Sequence, residues 1–99
     1  MLHIVNKSPF ERDSLESCLR HAIPGSTILL IEDGIYAALN NTAVANKVTE
    51  AMSEVKFCVL EADLEARGVS EKVMEGIEQV DYAGFVDLVT ESDRVQSWL

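Results

Sequence analysis

Apolar runs along the chain mark the predicted strands of a sheet. Two of them, "TILLIE" (Thr27–Glu32) and "KFCVLE" (Lys56–Glu61), are almost continuously apolar, as is typical of strands covered on both faces. A shorter run, "LHIVN" (Leu2–Asn6), predicts the first strand, and "IEQVD" (Ile77–Asp81) predicts a fourth. "VQSWL" at positions 95–99 is expected to form either a last short strand or a docking tail.

Segments with helical spacing separate these strands. Asp13 or Ser14 is expected to N-cap a first helix that runs to about Ala22. The later helical segments are "IYAALNN" (35–41), "AVANKVTEAM" (43–52), "ADLEARG" (62–68) and "YAGFVDLVTES" (82–92). This alternation predicts an α/β fold, a three-layer α/β/α sandwich with a mostly parallel sheet of four to five strands. The absence of repeats or linker-like composition favours a single domain over residues 1–99.

Charge and composition narrow the class of protein. The chain has 99 residues, 17 acidic against 8 basic, and a net charge of −9. Binding to nucleic acid or anionic membranes rests largely on Lys and Arg, so neither is expected. No apolar run approaches the ~20 residues that span a bilayer, and the first residues lack a signal-peptide pattern. We therefore expect a cytoplasmic protein with two reduced cysteines.

Cys18, in "SLESCLRHA", is the first candidate for chemistry. Leu15, Leu19 and Ala22 form the apolar stripe of the predicted helix, and Cys18 lies about 60° from its centre. That position predicts a side chain that is at most half buried. His21 follows three residues later and could meet Cys18 on the helix surface, where an imidazolium would favour the thiolate. The alternative is a small packing residue, because free cysteines are often buried and inert.

The other notable side chains have plain structural interpretations. Both Cys58 and His3 lie in predicted strands; Cys58 is expected in the core, and His3 in the core or at an interface. Glu32 and Asp33 at a strand end fit a phospho-accepting receiver domain, but the first strand ends in "VNKS" and supplies no acid there. Trp98 is either packed into the fold or offered to a partner.

Sites for common cofactors are not predicted. The two Cys and two His match no zinc spacing, and neither a dinucleotide-binding nor a P-loop glycine motif is present. In open parallel sheets the functional crevice lies beyond the carboxyl ends of the strands. That rule points to three short segments: 6–8, 32–34 and 61–63.

Four segments, in order, resemble the DsrH/TusB family of sulfur-relay proteins. They are "MLHIVNKSPF", "ILLIEDGIYAAL", "LEADLEARG" and "VDYAGFVDLV". Together they span nearly the whole chain. The cysteine in "SLESCL" and the end "VQSWL" make the chain more similar to the DsrH branch than to the TusB branch.

The resemblance implies a function that composition could not supply. It implies a subunit of a DsrEFH/TusBCD-like heterohexamer, with DsrE/TusD-like and DsrF/TusC-like partners. Such a complex passes persulfide sulfur to a DsrC/TusE-type acceptor, in sulfur oxidation or in 2-thiolation of the tRNA wobble uridine. No cofactor or metal is implied, and a chain without its partners could form homo-oligomers.

Two roles within such a complex remain open. In the first, Cys18 is the persulfide carrier and His21 modulates its pKa. In the second, the chain is a non-catalytic structural subunit, and the sulfur-carrying cysteine lies on a partner chain. A phospho-receiver or ligand-binding domain is a third hypothesis, and its receiver version requires an acidic pocket beyond the strand ends.

Overall fold

The computed structural model describes residues 1–99 and contains one five-stranded sheet, parallel throughout. Its strands are β1 (Leu2–Val5), β2 (Thr27–Leu30), β3 (Lys56–Leu60), β4 (Glu78–Val80) and β5 (Val95–Trp98). Their order across the sheet is β4-β3-β2-β1-β5. The predicted α/β class is confirmed, and "VQSWL" contributes an edge strand paired with β1.

Four α-helices connect the strands, together with two 3-10 helices. They are α1 (Ser14–His21), α2 (Ala45–Ala51), α3 (Glu61–Ala66) and α4 (Tyr82–Glu91), with 3-10 helices at Glu32–Ala38 and Ser70–Lys72. The helix predicted at 35–41 is therefore misplaced: it begins three residues earlier and is 3-10 in type. The tight turn that produces this shift involves Glu32, whose φ is +50°.

Helices cover the two faces of the sheet unequally. α1, the first 3-10 helix, α2 and α3 pack on one face over a core of 16 buried residues. On the other face, α4 packs through half-buried Phe85, Leu88 and Val89 against the buried Leu2, Leu29 and Cys58. This is the three-layer sandwich expected from the sequence. Leu2 and Ile4 face α4, so the alternation of side chains along β1 turns His3 and Val5 towards α1.

None of these helices combines the length and apolar composition that a bilayer crossing requires.

Candidate functional site

The structure places Cys18 inside the protein. The residue belongs to the larger core and is 0% exposed, so the expected half-buried position on α1 is wrong. Trp98, at the end of β5, packs against the same core and covers a side of α1 that helical periodicity left open. Burial raises the pKa of Cys18 to about 12. The thiol is therefore protonated at neutral pH in this conformation.

His21 does not interact with Cys18. Its Nδ1 donates a hydrogen bond to the Ser17 carbonyl oxygen at 2.7 Å, and its ring centroid lies 5.3 Å from that of Trp98. Burial alone accounts for the raised pKa of the thiol. The expected contact between imidazole and thiol is thus replaced by an aromatic contact with the C-terminal strand.

Trp98 also reaches a second histidine. Its indole Nε1 donates to Nδ1 of His3 at 3.1 Å, and the two ring centroids are 6.1 Å apart. Because Nδ1 accepts this bond, the neutral His3 ring carries its proton on Nε2, which is buried and has no hydrogen-bond partner. Burial lowers the pKa of His3, and the charges of the N-terminal amino group and of His21 lower it further. Trp98 is therefore packed into the fold, between His3 and His21.

Cys58 lies in the core under α4, as expected, but it has polar neighbours. Its thiol donates to Glu78 Oε2 at 3.6 Å, and the same oxygen lies 2.9 Å from Lys56 Nζ. Burial raises the pKa of Cys58 to about 11, although the Lys56 ammonium opposes this rise. The second thiol is thus also protonated and fully buried.

Two of the acidic residues at the carboxyl ends of β2 and β3, Asp33 and Asp63, are held by one arginine. Arg67 donates to Asp33 Oδ1 from Nε at 3.1 Å and from Nη2 at 2.9 Å, and its Nη1 donates to the Asp63 carbonyl oxygen at 3.2 Å. Asp63 Oδ2 in turn accepts the backbone N–H of Glu32 at 2.7 Å. These bonds fix the turn after β2 to the start of α3.

This network engages acidic side chains that a phospho-receiver would need for its phosphorylation site. Asp33 and Asp63 are both engaged, by a guanidinium and by a backbone N–H, and the end of β1 supplies no acid. Beyond the strand ends, the acidic side chains therefore bind the turn after β2 to α3. No cavity is lined by the segments 6–8, 32–34 and 61–63, so the receiver hypothesis lacks the acidic pocket that it requires.

Sequence reasoning missed two parts of this arrangement. The first is Arg67, which lies in the predicted helical segment 62–68 and was not predicted to bind the acidic residues. A signal for it existed, because Asp63 and Arg67 are spaced as neighbours on one helix face, and Asp33 ends a neighbouring strand. The second is the group of His3, His21 and Trp98. It brings together residues that are up to 95 positions apart, and no local sequence pattern predicts it.

Comparison with known proteins identifies relatives along the whole chain. The family described as "DsrH like protein" matches residues 7–95. The chain is 34% identical to Protein TusB of Pectobacterium parmentieri over 98 residues, which cover 99% of this chain and 100% of that protein. It is also 34% identical to Protein TusB of Erwinia tasmaniensis and 31% identical to that of Shigella flexneri, with the same coverage.

Solved structures show the same fold. The ychN protein from E. coli superposes with a TM-score of 0.81 over 97% of each chain, at 19% identity. A protein of unknown function from Methanobacterium thermoautotrophicum superposes with a TM-score of 0.75, over 97% of this chain and 95% of that one. At such low identity these similarities establish the architecture alone.

Proposed function

The chain belongs to the DsrH/TusB family, and from that premise we propose that it is a subunit of a cytoplasmic sulfur-relay complex. Its partners would be DsrE/TusD-like and DsrF/TusC-like subunits in a heterohexamer. The complex would pass persulfide sulfur to a DsrC/TusE-type acceptor. Relatives named TusB favour tRNA thiolation as the pathway, with sulfur oxidation as the other destination.

The burial of both thiols is the observation that favours one of the two roles in such a complex. Transfer of a persulfide requires a thiolate that a donor can reach. Cys18 and Cys58 are both 0% exposed, and burial raises their pKa values to about 12 and about 11. At pH 7.5 a thiol with a pKa near 12 has a thiolate fraction on the order of 10⁻⁴ or less. The geometry therefore supports a structural subunit best, with the sulfur-carrying cysteine on a partner chain.

The carrier role of Cys18 is the competing proposal, because the DsrH branch that this chain resembles carries a cysteine in its first helix, where Cys18 lies. As a carrier, the Cys18 thiolate would attack the outer sulfur of an incoming persulfide. The sulfur–sulfur bond of the donor would break, and the donor would leave as a thiolate. Cys18 would then hold the sulfur as Cys–S–SH until the next thiolate removed it.

Intact mass after treatment with a persulfide donor separates the two roles. A structural subunit is expected to gain no stable sulfur in the wild type, in Cys18→Ser or in Cys58→Ser. A gain of about 32 Da that disappears only in Cys18→Ser would overturn the structural role and establish Cys18 as the carrier. Cys58→Ser is the matched control, because it removes an equally buried thiol from the other face of the sheet.

The relay assignment itself needs a separate test. The chain should co-purify with DsrE/TusD-like and DsrF/TusC-like subunits encoded by the same genome, and Cys18→Ser should leave sulfur transfer by that complex unchanged. Failure to form any such complex would contradict the assignment, whatever the state of Cys18.

A further inference from the structure

One face of α1 is in contact with the end of the C-terminal strand. Ser14, Cys18 and His21 share this face, because positions i, i+4 and i+7 of a helix lie in line. Ser14 Oγ donates to the Leu99 carbonyl oxygen at 3.1 Å, and the His21 ring packs against Trp98. The residues before and after Cys18 on this face therefore both contact the end of the chain, Ser14 through Leu99 and His21 through Trp98.

We propose that Trp98 and Leu99 form a latch over the Cys18 face of α1, and that opening of this latch, without unfolding of the sheet, controls access to the Cys18 thiol. The proposal goes beyond the relay assignment, because it concerns the chain alone. It accounts for a thiol that is fully buried although its helix position leaves it away from the main apolar stripe.

The attachments of the latch are few. β5 is an edge strand that pairs only with β1, and its residues 95–97 are exposed to solvent. Beyond that pairing, hydrogen bonds from Trp98 to His3 and from Ser14 to Leu99, with the packing on α1, hold the two residues. Edge strands of this kind belong to the least stable parts of a fold and open locally.

The closed state also carries an electrostatic cost. His3 is 1% exposed, and while Nδ1 accepts the indole N–H, the Nε2 proton has no partner in the interior. An unpaired buried donor costs free energy that the bond at Nδ1 only partly offsets. When the latch opens, water can reach both the Trp98 indole and the His3 imidazole. The free energy of the closed state is therefore only a little lower than that of the open state.

The second cysteine provides an internal reference. Cys58 lies under α4 on the opposite face of the sheet, and the latch does not cover it. Trypsin would cut after Arg12, Arg20, Lys56 and Arg67, so Cys18 and Cys58 appear in separate peptides, 13–20 and 57–67. The alkylation rate of each thiol can therefore be followed in one digest.

The test is alkylation of the folded chain with iodoacetamide, followed by mass spectrometry of these two peptides. Trp98→Ala should raise the Cys18 rate about tenfold, and Ser14→Ala should raise it by a smaller factor, with the Cys58 rate unchanged in both. Tyr82→Ala is the matched control, since it removes an exposed aromatic side chain of α4 away from the latch. It should change neither rate.

Two results would overturn the latch. One is a Cys18 rate that is the same in the wild type and in the folded variants. The other is a joint rise of both thiols, which would mean that Cys18 reacts only through global unfolding. If Trp98→Ala fails to fold by circular dichroism, Ser14→Ala decides, because it removes one hydrogen bond to Leu99, a residue that is itself 80% exposed. Neither result affects the co-purification test of the relay assignment.

Discussion

His3 shows how a single residue can be satisfied at one atom and unsatisfied at another. Its Nδ1 accepts the Trp98 indole, whereas its Nε2 is buried without a partner. Sequence could place His3 in a strand but could not supply the tautomer, because the bond that fixes it comes from the opposite end of the chain. The burial of Cys18 was missed for the same reason. A helical wheel reports only the contacts of its own helix.

The lowered pKa of His3 predicts a loss of stability on mild acidification. Its pKa in the unfolded chain is near 6.5, and burial, the N-terminal amino group and His21 hold the folded value lower. Below pH 6.5 the unfolded chain therefore binds a proton that the folded chain does not. The stabilisation is fully present above pH 6.5 and is lost as pH falls from 6.5 towards the folded pKa. Urea unfolding at pH 7.5 and pH 5.5 measures this loss.

His3→Gln is the control for this pH dependence, because it keeps a polar side chain that does not titrate. The difference in the free energy of unfolding between the two pH values should shrink in this variant. Glu16 and Glu78, whose pKa values are lowered by Lys47 and Lys56, titrate below 4.5 and outside the tested window. Equal losses in wild type and variant would show that His3 is not the responsible group.

At the scale of elements, the strands were the most predictable part of the fold. Continuous apolar runs at 27–32 and 56–61 gave β2 and β3, because burial on both faces leaves a pattern that no other element here shares. β5 was ambiguous, since its exposed residues carry no such pattern. The first 3-10 helix was misplaced because neither the left-handed turn at Glu32 nor the backbone contact between Gly34 and Val5 is visible in the apolar pattern.

That contact makes Gly34 a sensitive position. A Cβ on Gly34 would collide with the carbonyl oxygen of Val5, which is backbone and cannot swing away. Gly34→Ala should therefore force the 3-10 helix away from β1 and destabilise the chain by about 2 kcal/mol or more. The free energy of unfolding in urea provides the measurement.

Gly68→Ala is the graded comparison for Gly34→Ala. A Cβ there meets open space, and only the left-handed backbone, at φ of +67°, opposes the change, with an expected cost of about 1 kcal/mol. A loss in Gly68→Ala that equals or exceeds that in Gly34→Ala would contradict the proposed collision.

At the scale of the whole molecule, the acidic residues outnumber the basic ones and give the protein a large negative charge. A net charge of −9 on 99 residues causes self-repulsion that the few ion pairs do not offset. Raising NaCl from about 0.05 to about 0.5 M shortens the screening length from more than 10 Å to less than 5 Å. The Tm should therefore rise, by roughly 2–4 °C for each 0.5 kcal/mol of repulsion removed.

Glu91→Lys tests this explanation. The residue is exposed at the end of α4, and the change makes the net charge less negative by two without affecting the core. The rise of Tm with salt should be smaller in this variant than in the wild type. A wild-type Tm that falls with NaCl would show that attractive pairs outweigh the repulsion.

The strand order has a consequence for synthesis on the ribosome. β1 is the first strand to be made, but one of its two neighbours, β5, is the last, and His3 pairs with Gln96. Because a small domain folds as a unit, β1 cannot complete its pairing before the residues of β5 have been made, and until then the N–H and C=O groups on that edge of β1 lack their strand partner. The incomplete chain therefore has an unpaired strand edge near its start. A chaperone that covers exposed strands would find its binding site there, on the first residues of the chain, until the last ones arrive.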